Sequence, residues 1–177
     1  MIYLFGFVTL LLAGAVVVLF AMLGELSSRV GVVTSPDEQV EPLPEAVIGR
    51  EPSSWPARLS AMSTTDDGIA LVLSTSCNSC KQIAQQMQAS PELTRGNLAV
   101  IVSTPTEARG EQFVADYGLA AVLNYVDVGG DWVGNEFGVR TSPVGLVFRR
   151  GRLVSALLFG DLAALRAVVR EAADART

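Results

Sequence analysis

The stretch from residue 68 to residue 89 changes its hydrophobic period at a pair of cysteines. It begins with the apolar run GIALVLST (68–75), which predicts a strand buried on both faces. The side chains that then recur at helical spacing are Cys80, Ile83, Ala84 and Met87. They predict an amphipathic helix that begins after Cys77 and ends before Pro91. A buried strand leading directly into such a helix restricts the fold to a sheet covered by helices.

The same alternation continues towards the C-terminus. The segments that follow predict a strand at 97–104, a helix at 107–118, a strand at 120–128, a short helix within 129–143, a hairpin at 144–159 and a helix that begins after Asp161. Two strands joined by a crossover helix pair in parallel, whereas a hairpin is antiparallel. The sequence therefore predicts an α/β domain with a βαβαβ half, a ββα half, one mixed sheet and helices on both faces.

The first 24 residues, MIYLFGFVTLLLAGAVVVLFAMLG, carry no charged side chain. In a helix that rises about 1.5 Å per residue, this segment can cross a hydrocarbon core about 30 Å thick. A secretory signal is the alternative, but the segment is longer than its usual apolar region and no Lys or Arg precedes it. We predict a transmembrane helix at 1–24, a tether rich in Pro and Glu at 25–52, and one domain at 53–177.

The net charge of −5 argues against nucleic acid as a partner, because a phosphate-binding surface needs clustered positive charge. One basic cluster, Arg149, Arg150 and Arg152, surrounds a glycine between two apolar runs. This pattern is typical of a solvated hairpin turn. We therefore expect no nucleic-acid partner.

Cys77 and Cys80 are the two cysteines of a chain without histidine. A zinc site normally takes four Cys or His ligands, so we predict no metal and no organic cofactor. A structural disulfide across so short a loop would constrain the unfolded chain little. A helix N-terminus instead stabilises a thiolate at Cys77, and Cys80 can then attack a mixed disulfide formed there. These residues are the candidate catalytic pair.

With this motif, the order of elements and the segment VRTSPVGLVF before the hairpin, residues 55–175 resemble the thioredoxin fold. The resemblance implies that Pro143 is a cis-proline beside the cysteines and that Ser142 offers backbone hydrogen bonds to a substrate peptide. Together with the N-terminal apolar segment, the chain looks like the membrane-tethered thioredoxin-like proteins of bacteria, such as TlpA, ResA, CcmG and MauD.

That resemblance implies thiol–disulfide exchange with protein thiols or disulfides as substrates. A membrane electron donor or a membrane complex is a further partner it suggests. Arg29, directly after the apolar segment, taken alone would place that end in the cytoplasm. The resemblance favours the opposite orientation, so we predict a single-pass protein of the cell membrane with an extracytoplasmic domain.

The motif departs from that of ordinary thioredoxins. Their tryptophan before the first cysteine is Ser76 here, and their Gly-Pro between the cysteines is Asn78-Ser79. Their buried aspartate six residues before the first cysteine is Leu71. The usual proton-transfer carboxylate is therefore missing from its place.

Two carboxylates are candidates to replace it, Glu136 and Asp127. If neither does, a second hypothesis gains weight, in which the domain is a redox-inert interaction subunit of a membrane complex. Its cysteines would then be idle or a fixed disulfide. The reactivity of the two thiols distinguishes these hypotheses.

Overall fold

The computed structural model describes residues 40–175. Its strands are β1 (Val40–Pro42), β2 (Gly68–Ser74), β3 (Leu98–Thr104), β4 (Leu123–Val128), β5 (Val144–Arg149) and β6 (Arg152–Phe159). Its α-helices are α1 (Asn78–Ala89), α2 (Glu107–Asp116), α3 (Asp131–Phe137) and α4 (Leu162–Asp174). Within residues 40–175 no helix is long and apolar enough to cross a bilayer. The predicted transmembrane helix at 1–24 lies outside the described residues.

The strands form one mixed sheet in the order β1-β6-β5-β2-β3-β4. Strands β2, β3 and β4 are parallel, whereas β5 and β6 form an antiparallel hairpin whose first strand pairs with β2. This arrangement confirms the predicted mixed α/β sheet. Since β2 lies between β5 and β3, the two cysteines that follow it are placed beyond the carboxyl end of a central strand.

Both faces of the sheet are covered. In β2 the side chains of Leu71 and Leu73 pack into one core, and those of Ala70 and Val72 pack into the other. This period of two is what a strand with two buried faces requires. Helices α1, α2 and α4 contribute to the first core, while α3 and the 3₁₀ helix Ala57–Ser63 contribute to the second. The predicted covering of both faces by helices is therefore confirmed.

The helix that carries the cysteine motif packs against the sheet through the apolar side chains that its sequence predicted. The buried residues of α1 are Cys80, Ile83, Ala84 and Met87. Helix α4 packs beside it, and the N–H of Leu162 donates to the side-chain oxygen of Gln86 at 3.2 Å. Asp161 caps α4 as predicted, accepting the N–H of Ala164 at 2.9 Å. The first turn of α1 is thus anchored through Cys80.

Residues 40–52 join the fold instead of forming a tether. Val40–Pro42 pair antiparallel with β6, and the N–H of Leu43 donates to the carbonyl of Ala156 at 2.8 Å. The prediction of a tether over 25–52 is therefore wrong for this part. Proline and glutamate suggested an extended chain, and the chain is extended at Val40–Pro42. A sheet edge accepts such a segment because one side of an edge strand needs no hydrogen bonds to a neighbour.

Gly110 of α2 provides a test of the packing between this helix and the sheet. A Cβ at this position would overlap Cγ1 of Val126 and lie 2.9 Å from Cγ2 of Thr104. Alanine normally stabilises a helix interior by about 1 kcal/mol over glycine. Here the stiff β-branched side chains of Val126 and Thr104 leave no room for the methyl group of alanine. We expect Gly110→Ala to lower the free energy of unfolding by about 1–3 kcal/mol, measured by urea denaturation.

The matched control is Gly160→Ala, because a Cβ on Gly160 has no heavy atom within 4 Å. Its free energy of unfolding should stay within about 0.5 kcal/mol of the wild-type value. A Gly110→Ala protein as stable as the control would contradict the close approach of α2 to the sheet.

Candidate active site

Cys77 is the N-cap residue of α1. Its backbone is extended, with φ −92° and ψ 123°, and its N–H donates to the carbonyl of Ser74 at 3.2 Å. Its sulfur accepts the N–H of Cys80 at 3.2 Å, in the place where an N-cap oxygen usually accepts. The first N–H groups of a helix have no partner within the helix, so this arrangement directs a donor at the sulfur. The sulfur thus lies at the positive end of the helix dipole.

Cys80 has a different environment from its neighbour. It is fully buried, whereas Cys77 is half-buried, and both are free thiols. Burial raises the pKa of the Cys80 thiol from 9.0 to about 11, and its hydrogen bond with the Cys77 side chain acts in the same direction. Hydrogen bonds with Ser74 and Ser142 oppose the rise in pKa. The two thiols are therefore unequal in access, and Cys80 strongly retains its proton.

Ser142 lies against the cysteine pair although it is far away in the sequence. The Cys77 thiol donates to the Ser142 carbonyl with a sulfur-to-oxygen distance of 3.8 Å. The peptide bond between Ser142 and Pro143 is cis, and β5 begins at the next residue. The structure thus brings together all four residues that the sequence analysis singled out as candidates for catalysis and substrate binding.

A cavity of about 210 Å³ opens beside Ser142. Its lining residues are Val72, Ser74, Ser103, Gly129, Gly130, Val133, Val139, Arg140, Thr141 and Ser142. Most of these were missed by sequence reasoning, because they come from four separate segments. One signal was available: Ser74 is the last residue of β2 and Ser103 is the next-to-last residue of the neighbouring parallel strand β3, and ligands of open α/β sheets bind outside the carboxyl ends of the strands.

The two carboxylates considered as proton acceptors are engaged elsewhere. Asp127 accepts the N–H groups of Trp132 and Val133, both at 3.0 Å, at the start of α3. The Glu136 carboxylate accepts the hydroxyl and the N–H of Ser53. Neither is among the groups that shift the pKa of Cys80.

The pKa of Glu136 lies below its usual value because of the Ser53 hydroxyl and N–H, with Arg50 at 3.9 Å adding to the effect. A carboxylate with a lowered pKa is a weaker base. Leu71, in the position of the thioredoxin aspartate, is fully buried and offers no titratable group. Within residues 40–175, no group of three or more His, Cys, Asp or Glu residues could hold a metal ion.

No protein-family model matches the sequence, and no curated protein matches it. Solved structures do match. A domain of a possible thiol-disulfide isomerase from Cytophaga hutchinsonii superposes with a TM-score of 0.53 at 12% identity, covering 76% of this chain and 96% of that chain. A DsbF homologue from Corynebacterium diphtheriae gives a TM-score of 0.50 at 14% identity, covering 78% and 97%. The chain has a thioredoxin-like fold.

The predicted resemblance is thereby confirmed for the fold. Similarity at this level of identity establishes the thioredoxin-like architecture alone, and the chemistry has to be argued from the site. Within that architecture, the Cys77-x-x-Cys80 motif stands at the junction of a central strand and its helix, opposite the peptide that precedes β5.

The unequal thiols predict an ordered alkylation. Iodoacetamide should label Cys77 first at pH 8, whereas Cys80 should remain unlabelled because it is fully buried and its pKa is about 11. Labelling of Cys80 should rise as the pH approaches 11 or when the protein is unfolded. Mass spectrometry of the digested protein measures both adducts. Equal labelling of the two thiols at pH 8 would contradict the structural difference between them.

Proposed function

We propose that this protein is a membrane-tethered thiol–disulfide oxidoreductase that acts on extracytoplasmic protein clients. The observation that supports this most strongly is the pairing of an accessible N-cap thiol, Cys77, with a buried thiol one turn further along the same helix, Cys80. A nucleophile and a resolving group in this order are what disulfide exchange requires.

In the reducing direction, the Cys77 thiolate attacks one sulfur of a client disulfide. The client S–S bond breaks, a mixed disulfide forms on Cys77, and the other client sulfur leaves as a thiolate. Cys80 then loses its proton and attacks the Cys77 sulfur. This step forms the Cys77–Cys80 disulfide and releases the second client thiolate, so the client gains the two electrons that the cysteine pair loses. The oxidising direction is the reverse.

The second step depends on the proton of Cys80. In the free dithiol a pKa of about 11 keeps Cys80 protonated at pH 7, so Cys80 has to give up this proton before it attacks Cys77. Leu71 offers no base, and Asp127 and Glu136 already accept other donors. The thiolate that leaves the client in the first step can take this proton. Resolution therefore requires the loss of this proton, and a client should remain as a mixed disulfide when the Cys80 thiol is removed.

A protein client is supported by the peptide opposite Cys77. The Ser142 carbonyl accepts a hydrogen bond from the Cys77 thiol. A client sulfur bonded to Cys77 would therefore lie close to the Ser142 backbone. An extended client segment could hydrogen-bond the Ser142 backbone while its sulfur reacts. The uncharged segment 1–24 supports membrane tethering of this reaction.

The second candidate is a redox-inert interaction subunit built on the same fold. It is favoured by the absence of a carboxylate at position 71 and by the raised pKa of Cys80, since both make resolution slow. Such a subunit would use the surface around Ser142 for binding without exchange. The two candidates differ in whether a covalent client adduct forms.

A Cys80→Ser variant tests this difference. It removes the resolving thiol and leaves Cys77, so mixed disulfides with clients should accumulate and appear on non-reducing gels of membranes that contain the full-length protein. We expect several-fold more adduct than in the wild type, and adducts that disappear when dithiothreitol is added.

Cys77→Ser is the matched control, since it changes the same atoms at the neighbouring position. It should form no adduct, because the buried Cys80 thiol cannot reach a client. If the Cys80→Ser protein traps nothing in its own membrane, the exchange function fails and the interaction subunit is favoured.

Topology has its own test. An alkaline phosphatase joined after Thr177 is active only where disulfides can form, outside the cytoplasm. We expect an active fusion in intact cells, since the proposed clients are extracytoplasmic. A well-expressed but inactive fusion would place the domain in the cytoplasm, as the positive-inside rule applied to Arg29 alone suggests.

A further inference from the structure

We propose that the cavity beside Ser142 is a specificity pocket, in which Arg140 selects clients that carry an acidic side chain next to the reactive cysteine. This inference rests on the proposed exchange function and names its substrate class. It is carried by the position of the cavity, by its charge and by the groups that line it.

The cavity lies close to Cys77, because Ser142 contacts both. This residue lines the cavity and its carbonyl also accepts the hydrogen bond from the Cys77 thiol. Arg140 precedes Ser142 by two residues, so their Cα atoms are at most about 7 Å apart. Neighbouring residues of a client are about 3.8 Å apart. A client whose sulfur lies on Cys77 therefore has a residue next to its cysteine within reach of the cavity.

The charge of the cavity is opposite to that of the protein. The chain carries a net charge of −5, yet the lining contains Arg140 and no Asp or Glu. Asp131 packs beside Gly129 without being part of the lining. Among residues 40–175, no carboxylate forms an ion pair with Arg140. Arg140 is exposed, and no carboxylate of these described residues competes with a ligand for its guanidinium.

The Arg140 side chain lies next to α3. Its guanidinium carbon and one of its nitrogens lie 3.6 Å from the point that a Cβ of Gly134 would occupy. Gly134 is buried in the helix and leaves this space open. The guanidinium thus lies against the helix at the cavity instead of extending freely into solvent.

The remaining polar lining suits a carboxylate. The Ser103 hydroxyl is a second donor beside the guanidinium, and charge-assisted hydrogen bonds to a carboxylate are stronger than neutral ones. The Ser74 hydroxyl, which also lines the cavity, already lies 3.0 Å from the Ser76 hydroxyl. The Ser103 hydroxyl lies 2.9 Å from the point that a Cβ of Gly130 would occupy. Gly130 has φ 68°, so a side chain there would be strained as well as crowded. The glycine keeps this hydroxyl at the cavity.

The test uses synthetic peptides that carry a disulfide to a chromogenic thiol. The peptides differ only at the residue beside the cysteine, which is Glu, Gln or Lys. Reduced full-length protein in detergent should react about three- to tenfold faster with the Glu peptide than with the Gln peptide at low salt. This preference should fall in 0.5 M sodium chloride, because salt screens an exposed charge pair.

Arg140→Gln should bring the ratio of the Glu rate to the Gln rate close to one, and Arg140→Glu should make the Lys peptide the faster substrate. Arg150→Gln and Arg150→Glu are matched controls. Arg150 is an exposed arginine after β5, at the end of that strand opposite Ser142. These controls change net charge equally and should keep the wild-type preference.

The outcomes separate this inference from the function on which it depends. If no peptide reacts with the wild-type protein, the exchange function itself fails. If all three peptides react at the same rate, exchange stands and the specificity pocket is wrong. A Glu preference that survives in Arg140→Gln would also overturn the inference, because another group would then be responsible.

Discussion

The burial of β2 on both faces is the constraint on which the site depends. This strand hydrogen-bonds to β3 on one side and β5 on the other, and its side chains pack alternately into two cores. The carboxyl end of β2 is therefore held in place by a neighbouring strand on each side. The turn from Ser74 to Cys77 starts from that fixed end, and the first turn of α1 directs a backbone N–H at the sulfur. The position of the reactive thiol is thus a consequence of core packing.

The same packing makes the two thiols unequal. Cys80 belongs to the apolar stripe of α1, and burial is the main cause of its raised pKa. Burial disfavours the charged thiolate but not a disulfide, which carries no ionisable hydrogen. The neutral Cys80 thiol and the disulfide both avoid this cost, which arises only when Cys80 ionises to attack the Cys77 sulfur. Because Leu71 stands in place of a buried acid, no carboxylate of β2 can accept the Cys80 proton, and hydrogen bonds with Ser74 and Ser142 are what oppose the rise in pKa.

How much could be predicted from the sequence depended on whether a feature was local. The stripe of α1 and the alternation of strands and helices were predictable because each follows from a period within one segment. The contact of Ser142 with Cys77 was predictable only through the resemblance to thioredoxins. Strand β1 was missed because its proline and glutamate also suit a tether, and only pairing with β6 distinguishes the two. The cavity was missed because separate strands and loops create it.

Recognition and chemistry are joined at residues 140–142. Arg140 provides the charge of the cavity, and two residues later the Ser142 carbonyl accepts the Cys77 thiol. A short segment of backbone therefore links the group that would contact the client side chain to the group beside the reacting sulfur. A charge contact at Arg140 would bring the client sulfur closer to Cys77 without altering the thiol itself. Selection would then act on the approach of the client, before any bond is exchanged, while resolution by Cys80 would be common to every client.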